Sequence, residues 1–411
     1  MSANQLEVST VNDRTRRGVF VGAAASAIIA TAGAFVFTAS ASEPTPPPDP
    51  GSEVSSSPSP SESTSLRIRG ADVSFALQNE AAGIQVSDEG AVLPVERILA
   101  NHGANYVRVR VWVDPSPETS DLSAGLELAR RAKAAGLGTI LNLHYSDTWA
   151  DRSNQATPSD WRGEPLPELG KTVERYTRSV VNAFAAQGTP VAIVQVGNEI
   201  THGMLWPVGR VFSERGDDWT DFLELLRAGV TGALAANPAN PPEIMIATDT
   251  GGNATASLDF FDRVVGAGIP FDLIGLSYYP FWNGPLSGLA ENLSKLATRF
   301  DKDILIAETS YPWTLDDGDD ETNVVTSADQ LPDAAAYPAT RKGQREYFQA
   351  LRDVVRGVPG GHGAGFLVWE PSWLPGVGAD PRTGNAFDNL TMFDADGRAL
   401  PSIEGFAEPG S

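Results

Sequence analysis

The chain contains no cysteine among its 411 residues. Disulfides, thiolate zinc sites and thiol catalysis are excluded, and stability must come from a core that a chain this long can build. Histidine is scarce, with four residues. Positive charge is scarce too: 30 basic against 52 acidic residues give a formal net charge of −22. Nucleic acid and anionic polymers require positive potential, so nucleic acid is not an expected partner and a neutral ligand fits better. Solubility outside the cell would explain the same charge. No glycine-rich phosphate loop accompanies the chain's polar and aromatic clusters.

What is present begins with an apolar run, Gly18 to Thr38, preceded by Arg14-Thr15-Arg16-Arg17 and followed by Ala39-Ser40-Ala41. Basic, apolar and small-residue regions in that order read as an export signal over residues 1–41. Arg16-Arg17 matches a twin-arginine signal loosely. A run of about 20 apolar residues is also long enough for a membrane anchor. Residues 42–65 are dominated by Pro, Ser, Glu and Thr, a composition expected to form a disordered, semi-stiff spacer. The expected location is secreted or extracellular, with attachment at the cell surface as the alternative. Residues 66–408 remain for a single domain.

In that domain eight short apolar segments alternate with helical patterns. The strands are read near Ile68–Phe75, Tyr106–Trp112, Gly138–His144, Val191–Val196, Ile244–Thr248, Leu273–Tyr278, Ile304–Ala307 and Gly365–Trp369. Amphipathic stretches such as Leu122–Ala135, Leu169–Ala186, Trp219–Ala236, Leu258–Val265, Leu289–Phe300 and Gln344–Arg356 separate them. This alternation predicts an α/β fold, a parallel (β/α)8 barrel of the TIM type.

Chemistry in such barrels sits at the C-terminal strand ends. Glu199 ends the fourth strand and Glu308 the seventh. Arg108 and Arg110 lie on the second. The run His144 to Asp151, with Asp147 and Trp149, follows the third. Ser277-Tyr278-Tyr279-Pro280-Phe281-Trp282, Glu308-Thr309-Ser310-Tyr311-Pro312-Trp313 and Trp369-Glu370-Pro371-Ser372-Trp373 end the sixth, seventh and eighth. Carboxylates with aromatic walls suit carbohydrate. Glycosidic cleavage needs one carboxylic acid to protonate the leaving oxygen and a second carboxylate to attack or to activate water. A separation of about 5–5.5 Å implies retention, and ~6.5–9.5 Å inversion.

The run Val194-Gln195-Val196-Gly197-Asn198-Glu199-Ile200, with His144 to Asp151, Ser277 to Trp282 and Trp369 to Trp373, resembles the arabinogalactan endo-β-1,4-galactanase family (glycoside hydrolase family 53). The resemblance extends from Arg69-Gly70-Ala71-Asp72 to about Phe406. It implies a retaining endo-glycosidase acting on a neutral plant polysaccharide, galactan or type I arabinogalactan, as a monomer with no cofactor for its chemistry. Glu199 matches the acid/base and Glu308 the nucleophile. Asn198 would bind the 2-hydroxyl, Arg108 would support the nucleophile, and Tyr278 or Tyr279 would donate to Glu308. Trp369 would floor the central subsite. His144, Asp147, Trp149, Trp282 and Trp313 are further substrate-binding candidates, with core packing or loop capping as their alternative roles. A related endo-β-mannanase or β-glucanase, or a non-catalytic glycan-binding barrel, is the competing reading.

Asp317, Asp319, Glu321 and Asn323 alternate in an acidic loop after strand seven, in a pattern calcium accepts. Some bacterial family members bind calcium there, which makes a structural calcium an expectation. Glu321 stands where a histidine is usual. Ala247 and Asn283 also replace histidines common in the family, and both bear on which polymer is cut.

Overall fold

The computed structural model describes residues 65–116, 119–213, 216–378 and 384–407. The export signal and nearly all of the spacer fall outside them. Among the described residues no helix is long and apolar enough to cross a membrane.

Eight parallel strands close into a barrel: β1 (Ile68–Asp72), β2 (Tyr106–Val111), β3 (Gly138–Leu143), β4 (Ile193–Val196), β5 (Glu243–Thr248), β6 (Leu273–Ser277), β7 (Asp303–Thr309) and β8 (Gly363–Val368). Each pairs with its sequence neighbours, and β8 pairs with β1. Between them run α1 (Val95–Asn101), α2 (Leu122–Ala135), α3 (Leu166–Ala186), α4 (Thr220–Ala236), α5 (Ala254–Gly266), α6 (Leu286–Phe300) and α7 (Arg341–Arg356). The (β/α)8 barrel expected from the alternation is the fold. An eighth helix is replaced by a 3-10 segment, Pro401–Phe406, whose Phe406 stacks on Phe366 of β8.

Helix starts follow local chemistry. Asp121 accepts the Ala124 amide at 2.8 Å, Asn253 that of Ala256 at 3.1 Å, and Thr340 that of Gly343 at 3.0 Å, each satisfying an orphan donor of the first turn. α3 and α6 instead begin directly after Pro165 and Pro285. Several helices therefore start a few residues earlier than their apolar periodicity indicates. β1 is shorter than its apolar run, because Asp72 turns back to accept the Ser74 amide at 3.0 Å.

The barrel interior changes character along its axis. At the N-terminal end Ile68, Ile140, Ile193, Met245, Leu273, Leu305 and Leu367 form one buried apolar cluster. Full burial of such a side chain contributes about 1.5–3 kcal/mol, so this plug is a major source of stability. The alternate residues of these strands, such as Val107, Val109, Leu141 and Val194, face the helices. Continuing the inward period of two toward the C-terminal end gives Asp72, Arg108, Arg110, Asn142 and Gln195, all buried.

Glu308 breaks that period. Leu305 and Ala307 belong to the interior cluster, so strict alternation would send Glu308 outward with Ile304 and Ile306. The register of β7 slips against both neighbours, with Leu276 opposite Ile306 but Ser277 opposite Glu308, and Ile306 opposite Phe366 but Thr309 opposite Val368. One extra residue on β7 is a β-bulge, and it re-aims Glu308 into the mouth.

Candidate active site

A cavity of about 280 Å³ opens at the C-terminal end of the barrel. Arg108, His144, Trp149, Asn198, Glu199, Tyr279, Trp282, Glu308 and Trp369 line it together with Asp72, Arg110, Asp151, Trp373 and Phe387.

Arg108 organises its floor. It is 1% exposed and gives Nε to Gln195 Oε1 at 3.0 Å, Nη1 to Asp72 Oδ2 at 3.0 Å, and Nη2 to Asn198 Oδ1 and Glu308 Oε1 at 2.8 Å each. The other oxygen of Glu308 accepts the Tyr279 hydroxyl at 3.0 Å. Burial and the adjacent Glu308 hold the Tyr279 phenol well above its ordinary pKa, so it remains a donor.

Glu199 follows β4 in a left-handed conformation, φ 48° and ψ 47°. Such backbone costs a non-glycine residue on the order of 1–3 kcal/mol, and strain of this kind clusters at functional sites. The turn depends on Gly197 (φ 78°), where an added Cβ would meet Ile200 Cγ2 at 2.6 Å. Burial, and then the proximity of Glu308 and Asp249, raise the Glu199 carboxyl from 4.5 to about 8, opposed by a hydrogen bond from Ser277. The two glutamates thus occupy different environments: Glu308 is met by a cation and a phenol, whereas among the described residues no cation pairs with Glu199.

Asn198 Oδ1 accepts from Arg108, from Asn142 Nδ2 at 3.0 Å and from Gln195 Nε2 at 3.1 Å, which fixes the amide orientation. Its Nδ2 donates to the Ala150 carbonyl at 2.8 Å. His144 Nδ1 receives the Trp112 indole N–H at 3.3 Å and the Ala150 amide at 3.2 Å. Burial and the nearby Arg110 and Arg108 push His144 well below 6.5. The ring is neutral with its proton on Nε2, a donor on the cavity wall.

The aromatic wall is continuous. Trp149 packs on Trp112 at 5.2 Å and Trp369 at 6.0 Å, Trp369 on Phe387 at 4.9 Å, and Trp373 on Phe75 at 4.3 Å. The Arg110 guanidinium lies over the rings of Phe75 (4.3 Å) and Trp149 (4.4 Å) and pairs with Glu370 at 2.6 Å. Trp282 stands at the rim, 59% exposed.

Three candidates lie elsewhere. Asp147 spends both carboxylate oxygens on its own loops, accepting the Ser159 amide at 2.7 Å and the Asp114 amide at 3.2 Å. Tyr278 is buried in the core and donates to the Gly284 carbonyl at 2.7 Å, so Tyr279 is the tyrosine on Glu308. Trp313 donates to Thr391 at 3.3 Å beneath the Arg341 guanidinium and does not line the cavity. Trp373, one of the tryptophans that could touch sugar, lines the cavity; of the residues missed, Asp72 sits in a quoted motif and is open to the strand-end argument. Phe387 arrives on a late loop with no local signal.

The acidic loop is assembled differently from its sequence pattern. The carboxylates of Asp317, Asp319 and Asp388 come within 4.8 Å of one another. Glu321 is exposed and contributes its amide to Asp319 instead, at 2.9 Å. Asn323 donates Nδ2 to Asp388 Oδ1 at 2.8 Å, while its buried Oδ1 has no partner. Burial raises Asp388 from 3.8 to about 6. Three clustered carboxylates and an orphaned amide oxygen suit a hard cation.

Two carboxylates in unlike environments, set in an aromatic-walled mouth of a (β/α)8 barrel, define the class: an enzyme that hydrolyses glycosidic bonds. Over residues 68–406 the chain matches the model of Glycosyl hydrolase family 53, and it belongs to that family. It is 37% identical over 346 residues to arabinogalactan endo-β-1,4-galactanase A of Aspergillus niger, covering 80% of this chain and 95% of that one. Among solved structures it is similar to the GH53 catalytic domain of Ignisphaera aggregans (TM-score 0.76, 35% identity, 83% of this chain and 95% of that one). It is also similar to a fungal β-1,4-galactanase (TM-score 0.74, 32% identity, 83% and 99%).

Proposed function

We propose that the protein cleaves internal β-1,4-galactosidic bonds of galactan or type I arabinogalactan, with retention, by double displacement. The observation that carries this reading is the division of labour between Glu308, held by Arg108 and Tyr279, and Glu199, kept protonated by burial in the same cavity. The sugar identity rests on likeness to relatives named as β-1,4-galactanases.

In the first step a Glu308 oxygen attacks the anomeric carbon. The glycosidic bond breaks, and Glu199 gives its proton to the departing oxygen. In the second, Glu199 takes a proton from water, whose oxygen attacks the same carbon and releases Glu308. Asn198 has a second Nδ2 hydrogen for the 2-hydroxyl, a contact that strengthens toward the transition state. His144 offers Nε2–H to another hydroxyl, and Trp149 and Trp369 offer apolar faces to the sugar ring. Arg108 and Tyr279 orient the nucleophile.

Asp317, Asp319 and Asp388, with the Asn323 amide oxygen, would hold a calcium ion. Such an ion would tie the loop after β7 to the loop after β8 and take no part in bond cleavage. We further infer export from the cell and action as a monomer, from the N-terminal signal and the resemblance.

Release of reducing ends from galactan, mannan and β-glucan tests the substrate. Turnover of galactan above the others is expected. Turnover of mannan or β-glucan without galactan would sink the assignment.

A further inference from the structure

A second cavity, of about 340 Å³, adjoins the first and shares Asp151, Glu199, Tyr279 and Trp282 with it. Its remaining lining residues are Arg152, Ser153, Asp249, Ser277 and Asn283. Glu199 borders both cavities, whereas Glu308 borders the first alone. On the reading above, the proton donor faces the leaving group and the nucleophile faces the sugar that is retained. The cavity holding only the proton donor is then the one the leaving group occupies.

Its walls differ in kind from those of the first cavity. Trp282 and Tyr279 are its aromatic rings, and its other lining residues are all polar or charged. Arg152 reaches from the loop after β3 to pair with Asp249 Oδ2 at 3.1 Å, and its side chain remains 62% exposed. Asp249, just beyond β5, is 13% exposed and accepts the Thr201 hydroxyl on its other oxygen at 2.5 Å. Thr201 lies two residues after Glu199, so the same carboxylate braces the strained turn of the acid/base. Asn283 donates to the Asp249 carbonyl at 3.2 Å and accepts the Tyr279 amide at 2.8 Å. His202 Nδ1 lies 3.0 Å from the Arg152 carbonyl. Four loops thus meet around Asp249, which pairs with the Arg152 guanidinium at the edge of this cavity. Nη1 is spent on Asp249, and a guanidinium has five N–H donors.

We propose that Arg152, strapped to Asp249, is the residue that recognises the leaving-group sugar, through hydrogen bonds from its guanidinium to that sugar's hydroxyls. This rests on the proposed function. The pair adds hydroxyl recognition beside the Trp282 and Tyr279 rings that this cavity shares with the first. The same hydroxyl contacts hold an acceptor sugar during the second step.

The test compares Arg152→Ala and Arg152→Lys with wild type on galactan and on a nitrophenyl β-galactobioside, whose leaving group has no hydroxyls to bind. A charge-assisted hydrogen bond corresponds to roughly a ten- to hundredfold effect. Arg152→Ala is expected to lower kcat/KM on galactan by that factor and by far less on the aryl substrate. It should also reduce transfer to added methyl β-galactoside. Arg152→Lys should recover part of both. An equal loss on the two substrates would overturn the proposal, because Arg152 would then act through Glu199. No loss on galactan would overturn it as well. Wild-type protein inactive on galactan but active on the aryl substrate would instead overturn the polymer assignment and the inference with it.

Discussion

On the proposed mechanism Glu199 gives the proton and Glu308 attacks the sugar, and the residues around the two carboxylates differ accordingly. Burial beside Glu308 and Asp249 raises Glu199 to about 8. Activity should therefore fall as pH rises through that value, because the donor form is lost. The same shift has a stability consequence. A carboxyl at 4.5 when unfolded and about 8 when folded binds more protons in the native state between these values, so stability declines as pH rises across that window. Glu199→Gln removes this penalty: it should raise Tm by several degrees at pH 8 and have little effect near pH 4, while lowering kcat on galactan ~10²–10⁴-fold. A Tm gain of equal size at both pH values would contradict the burial argument. At this scale the two glutamates were legible as strand ends and Arg108 by a period of two, while Asn198 was legible through the family resemblance. The choice of Tyr279 over Tyr278 was not, since it depends on which neighbour turns into the core after β6. Asp147 looked like a ligand and is a loop brace, a distinction that only its amide partners reveal.

Elements add what residue patterns omit. Apolar periodicity located the helices but started α5, α6 and α7 late, because their first turns are set by Asn253, Pro285 and Thr340 rather than by apolar residues. The bulge in β7 was invisible, although without it Glu308 would face the helices. The acidic loop was read as one segment, yet its third carboxylate, Asp388, comes from a different loop. That geometry yields a prediction. Calcium should raise Tm, and the increment should grow from pH 5 to pH 7, because Asp388 at about 6 must lose its proton to bind. Chelation should reverse the shift, and Asp388→Asn should abolish most of it. A shift that survives this substitution would place the ion elsewhere.

At the scale of the whole molecule, the barrel combines an apolar plug with a polar mouth, and the two are separable. Leu305 is fully buried in the plug, on the strand that carries Glu308. Leu305→Ala should cost about 2–5 kcal/mol, read as a lower denaturation midpoint, while kcat stays near wild type at temperatures where the protein remains folded. A large fall in kcat without loss of stability would show that the plug positions the nucleophile. The barrel count was legible because each strand is a short apolar run buried on both faces. The wall of the mouth was legible only in part, since Phe387 reaches it from a loop far along the chain.

On the proposed mechanism Glu308 forms the bond to sugar and Glu199 moves the proton. Peptide mapping by mass spectrometry, after reaction with an activated 2-deoxy-2-fluoro β-galactobioside, tests it most directly. One glycosyl adduct is expected, on Glu308. An adduct on Glu199 or on any other carboxylate would contradict it.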